Sequence, residues 1–275
     1  MASVNNNTSQ QVYNIREDED LLSSVASIAC VLMQRGLWVA GYSDSGEVLT
    51  IHTYSYNNNK AVWELDLFEH LFANEGLFAA KDKVKAAFIC SSRNMIVPAE
   101  LYNEKEAMEW FRRIHLTESG DEIGAVDFGK EESKYLMAVP MGIPALVKIH
   151  FKQAAILPLP LYHFANPGAG QHLHCTLMPG QAIISLHYNR NLQWHHMIDY
   201  TSAEDVAYAI KHYFRENNID AGAATIVCDA ASGAEFDIIR ELYRYFPALD
   251  TGDGSSINAR WGGAVSLANQ LLACV

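Results

Sequence analysis

Histidine is the residue type in this chain whose spacing most invites chemistry. His172 and His174 alternate within the run Gln171 to Leu177, so on a strand both rings leave one face, while Cys175 leaves the other. His187 lies in the next apolar run, and His195 and His196 in the one after it. One face of such a sheet could bring two or three imidazoles within reach of a metal ion. The spacing matches no metal signature, however, and the neighbours His195 and His196 must point opposite ways on a strand. Buried or surface imidazoles are therefore the default reading, and a metal-dependent enzyme ranks third among the functions weighed. Nucleophilic chemistry has less support: there is no G-x-S-x-G elbow, no G-x-x-x-x-G-K-[ST] loop and no H-E-x-x-H pair. Ser232, close after Asp229 at the start of a helical run, reads as a helix cap. Asp127-Phe128-Gly129 is an Asp-x-Gly triplet in a polar stretch, away from any turn that would give it a phosphate role.

The bulk composition removes several function classes. Hydrophobic residues make up 49% and charged residues 19% of 275 positions, which suits a chain that buries a substantial core. Lys+Arg 20 against Asp+Glu 32 gives a net charge of −12. An acidic surface repels phosphate backbones and anionic membranes, so no nucleic acid is expected as a partner. The cysteines (Cys30, Cys90, Cys175, Cys228, Cys274) are odd in number and widely spaced, with no C-x-x-C pair. They read as reduced thiols in a cytoplasmic protein. Tyr135 to Phe164 is the most apolar long segment, but Pro140, Pro144, Pro158, Pro160, Lys148 and Lys152 rule out a membrane span there.

The elements that would position these residues occur twice. Leu37 to Tyr56 holds two alternating apolar runs hinged on Asp44-Ser45-Gly46, and Gln181 to Tyr200 holds two hinged on Asn189-Arg190-Asn191. An offset of roughly 144 residues pairs Val39 with Ile183, Val48 with Leu192, His52 with His196 and Tyr56 with Tyr200. Each unit is preceded by a strand (Ser23 to Leu32; Gln171 to Leu177) and followed by a helix and a buried strand, Ala86 to Ser91 or Ala224 to Asp229. Asn57-Asn58-Asn59 is expected to cap the first helix, with Val62, Leu65, Phe68, Leu71 and Phe72 inward. A second helical region begins at Val97-Pro98-Ala99-Glu100-Leu101 and turns Ala107, Met108, Trp110, Phe111 and Ile114 inward. Thr201-Ser202-Ala203-Glu204 reads as a capping box. A late helix carries Phe236, Ile239, Leu242, Tyr243 and Phe246, and another runs from about Arg260. These elements divide into a frayed polar lead over 1–20, a first subdomain over 21–165 and a smaller second one over 166–275.

Two copies of three antiparallel strands followed by helix, strand and helix resemble the actin-like ATPase fold, of the ribonuclease H-like kind. Over about Leu22 to Val275 the chain is similar to an uncharacterised bacterial family, a domain of unknown function described as having that fold. The resemblance implies an α/β architecture of two related subdomains, each with three antiparallel strands plus parallel strands and helices. It also implies where ATP and Mg²⁺ would sit: at the turns between the first two strands of each half, and after a late strand. The matching turns are Leu32-Met33-Gln34-Arg35-Gly36 and Leu177-Met178-Pro179-Gly180. Each keeps a glycine, but neither has the carboxylate that holds Mg²⁺ through water. Asp229-Ala230-Ala231-Ser232-Gly233 stands where a glycine pair is expected and has one glycine. Positioned charge and metal supply most of phosphoryl-transfer catalysis, so the leading expectation is a non-catalytic protein that binds another protein. The alternative is a weak or silent nucleotide-binding switch using Gly36, Gly180, Asp229, Ser232 and Gly233 in the cleft between subdomains.

Overall fold

A computed structural model describes residues 8–15, 21–56, 62–128, 133–165, 169–251 and 259–274. The chain opens with β1 (Thr8–Asn14), β2 (Ser27–Met33), β3 (Gly36–Tyr42) and β4 (Val48–Tyr56). Helix α1 (Leu65–Asn74) follows, then β5 (Val84–Cys90), β6 (Asn94–Pro98), α2 (Glu104–Ile114), β7 (Asp121–Phe128) and β8 (Ser133–Pro140). Helix α3 (Gly142–His150), β9 (Ala155–Pro158) and the short α4 (Leu161–Ala165) lead out of the first half. The second half contains β10 (Gln171–Met178), β11 (Gln181–Tyr188), β12 (Asn191–Asp199), α5 (Ala203–Glu216), β13 (Thr225–Ala230), α6 (Gly233–Leu242), β14 (Asp250–Thr251) and α7 (Ala259–Leu272).

The two large sheets share one topology. The first has the order β1-β4-β3-β2-β5-β9 and the second β12-β11-β10-β13-β14. In each, three antiparallel strands are extended by parallel strands beside the first of the three. Alternation along the strands separates two cores. Ile28, Cys30, Leu32, Leu37 and Val39 pack outward with Phe68 and Phe72 of α1, whereas Ala29, Val31, Met33, Trp38, Ala40 and Tyr42 face the second half. In the second half Leu173, Cys175, Leu177, Ala182, Ile184 and Leu186 pack against α5 and α6. The C-terminal helix α7 is wedged between the halves. Its Ala264, Leu267, Ala268 and Leu271 share a core with Tyr42, Val48 and Ile51.

The repeat differs in register from the expectation. Met33 opposite Gly36 closes the first hairpin, and Met178 opposite Gln181 closes the second. Val39 therefore corresponds to Ile184, not Ile183: both lie in helix-facing cores, whereas Ile183 faces the first half. A one-residue slip exchanges the two faces of a strand, which is why the distinction matters. On the third strand the expected pairing of His52 with His196 stands, since His52 lies opposite Val39 and His196 opposite Ile184.

Other expectations need correction. Thr8–Asn14 is not a frayed lead but an edge strand along β4. The Asn57–Asn59 cap lies outside the described residues; α1 begins at Leu65, and Val62 and Leu65 are exposed. Trp110, Ile114 and Tyr243 are exposed too, leaving Ala107 and Phe111 as the buried face of α2. The capping box sits one residue later, on Ser202 and Asp205; Glu204 instead accepts a hydrogen bond from Tyr245 Oη at 2.9 Å. A third sheet, β6-β8-β7, was not foreseen; with α2 it encloses its own small core of Val97, Ala107, Phe111, Leu136 and Ala138.

Candidate functional site

The residues flanking the turns that the resemblance marks for phosphate are packed into the core between the halves. Met33 and Met178, which precede the two turns, are fully buried in the core between the halves. Gln181 is buried beside them, its Nε2 donating to Asp199 Oδ1 at 3.3 Å and its Oε1 accepting from Cys90 Sγ at 3.8 Å. Gln34 Nε2 donates to Ser92 Oγ at 2.7 Å, and the Gln34 carbonyl accepts from Tyr56 Oη at 2.6 Å.

The two turn glycines do different work. Gly36 is a buried first residue of β3, and a Cβ there would lie 2.1 Å from the Tyr54 carbonyl oxygen, so glycine is required for close strand approach. Gly180 is exposed, has φ 72° and has open space around it. It follows Pro179, the order that a type II turn requires.

Asp229, Ser232 and Gly233 lie on the single connection from β13 into α6, and all three are buried. The Ala231 N–H between them donates to Leu177 O at 2.8 Å, and the Ala231 carbonyl accepts from Trp38 Nε1 at 2.9 Å and Thr53 Oγ1 at 3.3 Å. This connection therefore meets both halves, but through filled contacts. Gly263 of α7 presses on it as well: a Cβ at Gly263 would stand 2.8 Å from the Ala230 nitrogen. Ser232 is the N-cap of α6, accepting from Ala234 N–H at 3.2 Å and donating to Glu235 Oε2. Burial raises the Glu235 carboxyl above its ordinary range, and the Ser232 hydrogen bond opposes this. Asp127 lies on β7, ion-paired with Lys134 and away from these turns; Gly129 lies outside the described residues.

A cluster of buried polar side chains lies on the inner face of the second sheet. His172, His174 and Thr176 of β10, Ser185 and His187 of β11, and His195 of β12 share that face, and α4 lies across them. His174 Nε2 donates to Asp229 Oδ2 at 2.5 Å, and Gln270 Nε2 of α7 donates to the same oxygen at 3.1 Å. His163 of α4 stacks on His174 with ring centroids 4.0 Å apart. Its Nε2 meets Thr176 Oγ1 at 2.8 Å and its Nδ1 meets Ser185 Oγ at 2.9 Å; Ser185 Oγ in turn meets His195 Nδ1 at 3.0 Å. Tyr162 Oη completes the chain at Thr176.

His172, His174, His187 and His195 thus come together as the strand alternation implied, and His196 points to the other face beside Trp194. His163 was missed in the sequence, because it lies on α4, outside the repeated strands. Among the described residues no group of three or more His, Cys, Asp or Glu side chains could hold a metal ion. The five cysteines are free thiols. Burial, and for Cys90 the Asp199 charge, pushes Cys90 up, and burial pushes Cys30 up to about 12, so neither is a ready nucleophile. Among the described residues no helix is long and apolar enough to cross a membrane.

Comparison with known proteins agrees with the topology. A Bacteroides thetaiotaomicron VPI-5482 protein with actin-like ATPase fold and unknown function superposes with a TM-score of 0.69 at 11% identity, over 90% of this chain and 98% of the other. A PilM–PilN type IV pilus biogenesis complex gives a TM-score of 0.52 at 11% identity, over 91% of this chain and 98% of that one. At these identities the likeness concerns the fold, and the fold here is the actin-like ATPase fold. No curated protein sequence matches significantly. Residues 32–249 match the family described as protein of unknown function (DUF3822), most of the chain, and the protein belongs to that family.

Proposed function

We propose that this protein is a non-catalytic, cytoplasmic member of the actin-like ATPase fold that uses the scaffold to bind another protein. The observation that carries the reading is the closure of the inter-half core at the two expected phosphate turns. Met33, Met178, Cys90 and Gln181 fill it, and neither turn carries a carboxylate. Phosphoryl transfer depends on positioned charge and metal, and neither turn offers the carboxylate that would hold Mg²⁺. The free cysteines suit a reducing compartment. A similar fold occurs in a complex of two proteins, PilM with PilN, which is the kind of use we propose here. In this reading the scaffold divides near residues 165 and 166, with α4 as the joint.

Calorimetric titration of the full chain with ATP, with and without Mg²⁺, tests it. No heat of binding up to millimolar nucleotide is expected. Tight, Mg²⁺-dependent binding that is lost on Gly233→Val would overturn the reading in favour of a nucleotide switch at Gly36, Gly180, Asp229, Ser232 and Gly233.

A further inference from the structure

Five imidazoles, those of His163, His172, His174, His187 and His195, are gathered at the joint between the halves, under and within α4. The inner faces of β10, β11 and β12 carry four of them, and α4 delivers the fifth along with the rings of Tyr162 and Phe164. The ionisable groups facing them from the surrounding elements are few. Among the described residues the carboxylate hydrogen-bonded to the cluster is Asp229 of β13, and it is already engaged by His174 and Gln270. Tyr162 of α4, Tyr135 of β8 and Cys90 of β5 lie near them too, and burial holds all three protonated and neutral; His196 of β12 acts on His195 from the other face of the sheet. His187 Nδ1, His195 Nε2 and Asp229 Oδ1 are buried without a hydrogen-bond partner among the described residues.

We propose that this cluster is a proton-operated latch: neutral imidazoles hold α4 down on the second sheet, and their protonation at mildly acidic pH releases α4 and frees the joint between the halves. The hydrogen-bond chain explains why. From Tyr162 through Thr176, His163 and Ser185 to His195, a neutral His163 gives one proton and takes one, while His195 joins the chain through Nδ1 alone. A proton added to His163 makes both its nitrogens donors, so Thr176 and Ser185 must turn their own hydroxyl protons away. It also places a charge on the face of His174, 4.0 Å between centroids, where Asp229 compensates at most one unit. Four of the rings already favour the neutral state. Burial first, then the neighbouring imidazoles, pushes His195 down to about 3 and His187 to about 4, and lowers His172 and, further, His163.

The sign follows from linkage. A histidine whose pKa is lowered in the closed state stabilises that state above the open-state value near 6.5, and this stabilisation is lost as pH falls below it. Each imidazole that takes up a proton on opening multiplies the opening constant by about ten between pH 7.5 and 5.5.

The test is hydrogen exchange on the full chain, following the amides of 161–165 at pH 7.5 and 5.5 after removal of the intrinsic pH dependence of exchange. An opening constant that rises about 100-fold or more, with the amides of β3 unaffected, is expected for two or more protons. A smaller rise, or an equal rise in β3, overturns the latch. His163→Gln keeps a donor and an acceptor but takes no proton, and it should reduce the rise about tenfold; an unchanged rise overturns the assignment to His163. Proton magnetic resonance of the wild-type imidazoles stands independently of whether that variant folds. His187 and His195 titrating near 6.5 in the closed state would sink the proposal, and titration well below 5 supports it.

Discussion

The Ala231 carbonyl is one of the atoms that closes the cleft. It accepts from Trp38 and Thr53 of the first half while the Ala231 N–H binds Leu177 of the second, so three strands converge on this residue. The glycines nearby must be judged against the same packing. Gly36 and Gly180 look alike in sequence, yet Gly36 is held by the Tyr54 carbonyl and Gly180 only by its backbone angle. Gly36→Ala is therefore expected to cost about 3 kcal/mol through forced strand separation, against about 1 kcal/mol for Gly180→Ala through left-handed strain. Urea denaturation of both variants checks the order. Equal costs would show that Gly36 is not a packing glycine.

The same contrast explains what the elements disclosed and what they hid. The duplicated strands were legible because both faces of β2, β3, β10 and β11 are covered, so apolar residues mark them almost without interruption. Aligning the halves on Gly36 and Gly180 slipped the register by one, since the first turn is Gln34-Arg35 and the second Pro179-Gly180. The third sheet stayed hidden because β7 has no fully buried residue and is acidic, with Asp121, Glu122 and Asp127, so it reads as a polar connection. His163 was invisible for another reason: only the docking of α4 brings it to the strand histidines. The β11–β12 turn carries a detail of its own. Asn189 and Arg190 have φ of 49° and 70°, the pair of left-handed residues that a type I′ hairpin demands. Asparagine tolerates that region and arginine does not, so Arg190→Gly is expected to stabilise the protein by up to about 1 kcal/mol. A rise of a few degrees in the thermal midpoint would register it, and a fall would mean that the exposed Arg190 side chain contributes more than its backbone costs.

Across the whole molecule, the two halves are joined by an apolar core in one place and a polar one in another. Near the turns, Met33, Met178, Trp38 and α7 exclude water; beneath α4, imidazoles, hydroxyls and Asp229 replace apolar contact with a hydrogen-bond chain. The first kind of contact is indifferent to pH and the second is not, so the two should respond to different perturbations. Helix α7 decides the apolar core, because it touches β2, β4 and β13 and ties both sheets together. At Gly263 it packs so tightly that a side chain would meet the backbone of Ala230. Gly263→Val must lift α7 from β13 or shift the strand, and overpacking of this kind costs about 1–3 kcal/mol. Because Tyr42 Oη donates to Ala268 O at 2.8 Å and Gln270 holds Asp229, lifting α7 should also loosen the first sheet's grip and the Asp229–His174 pair. The expected outcome in urea is a lower midpoint with one shared transition for both halves. Two separated transitions would instead mean that each half is stable without the wedge, and that α7 couples them without being needed to fold either.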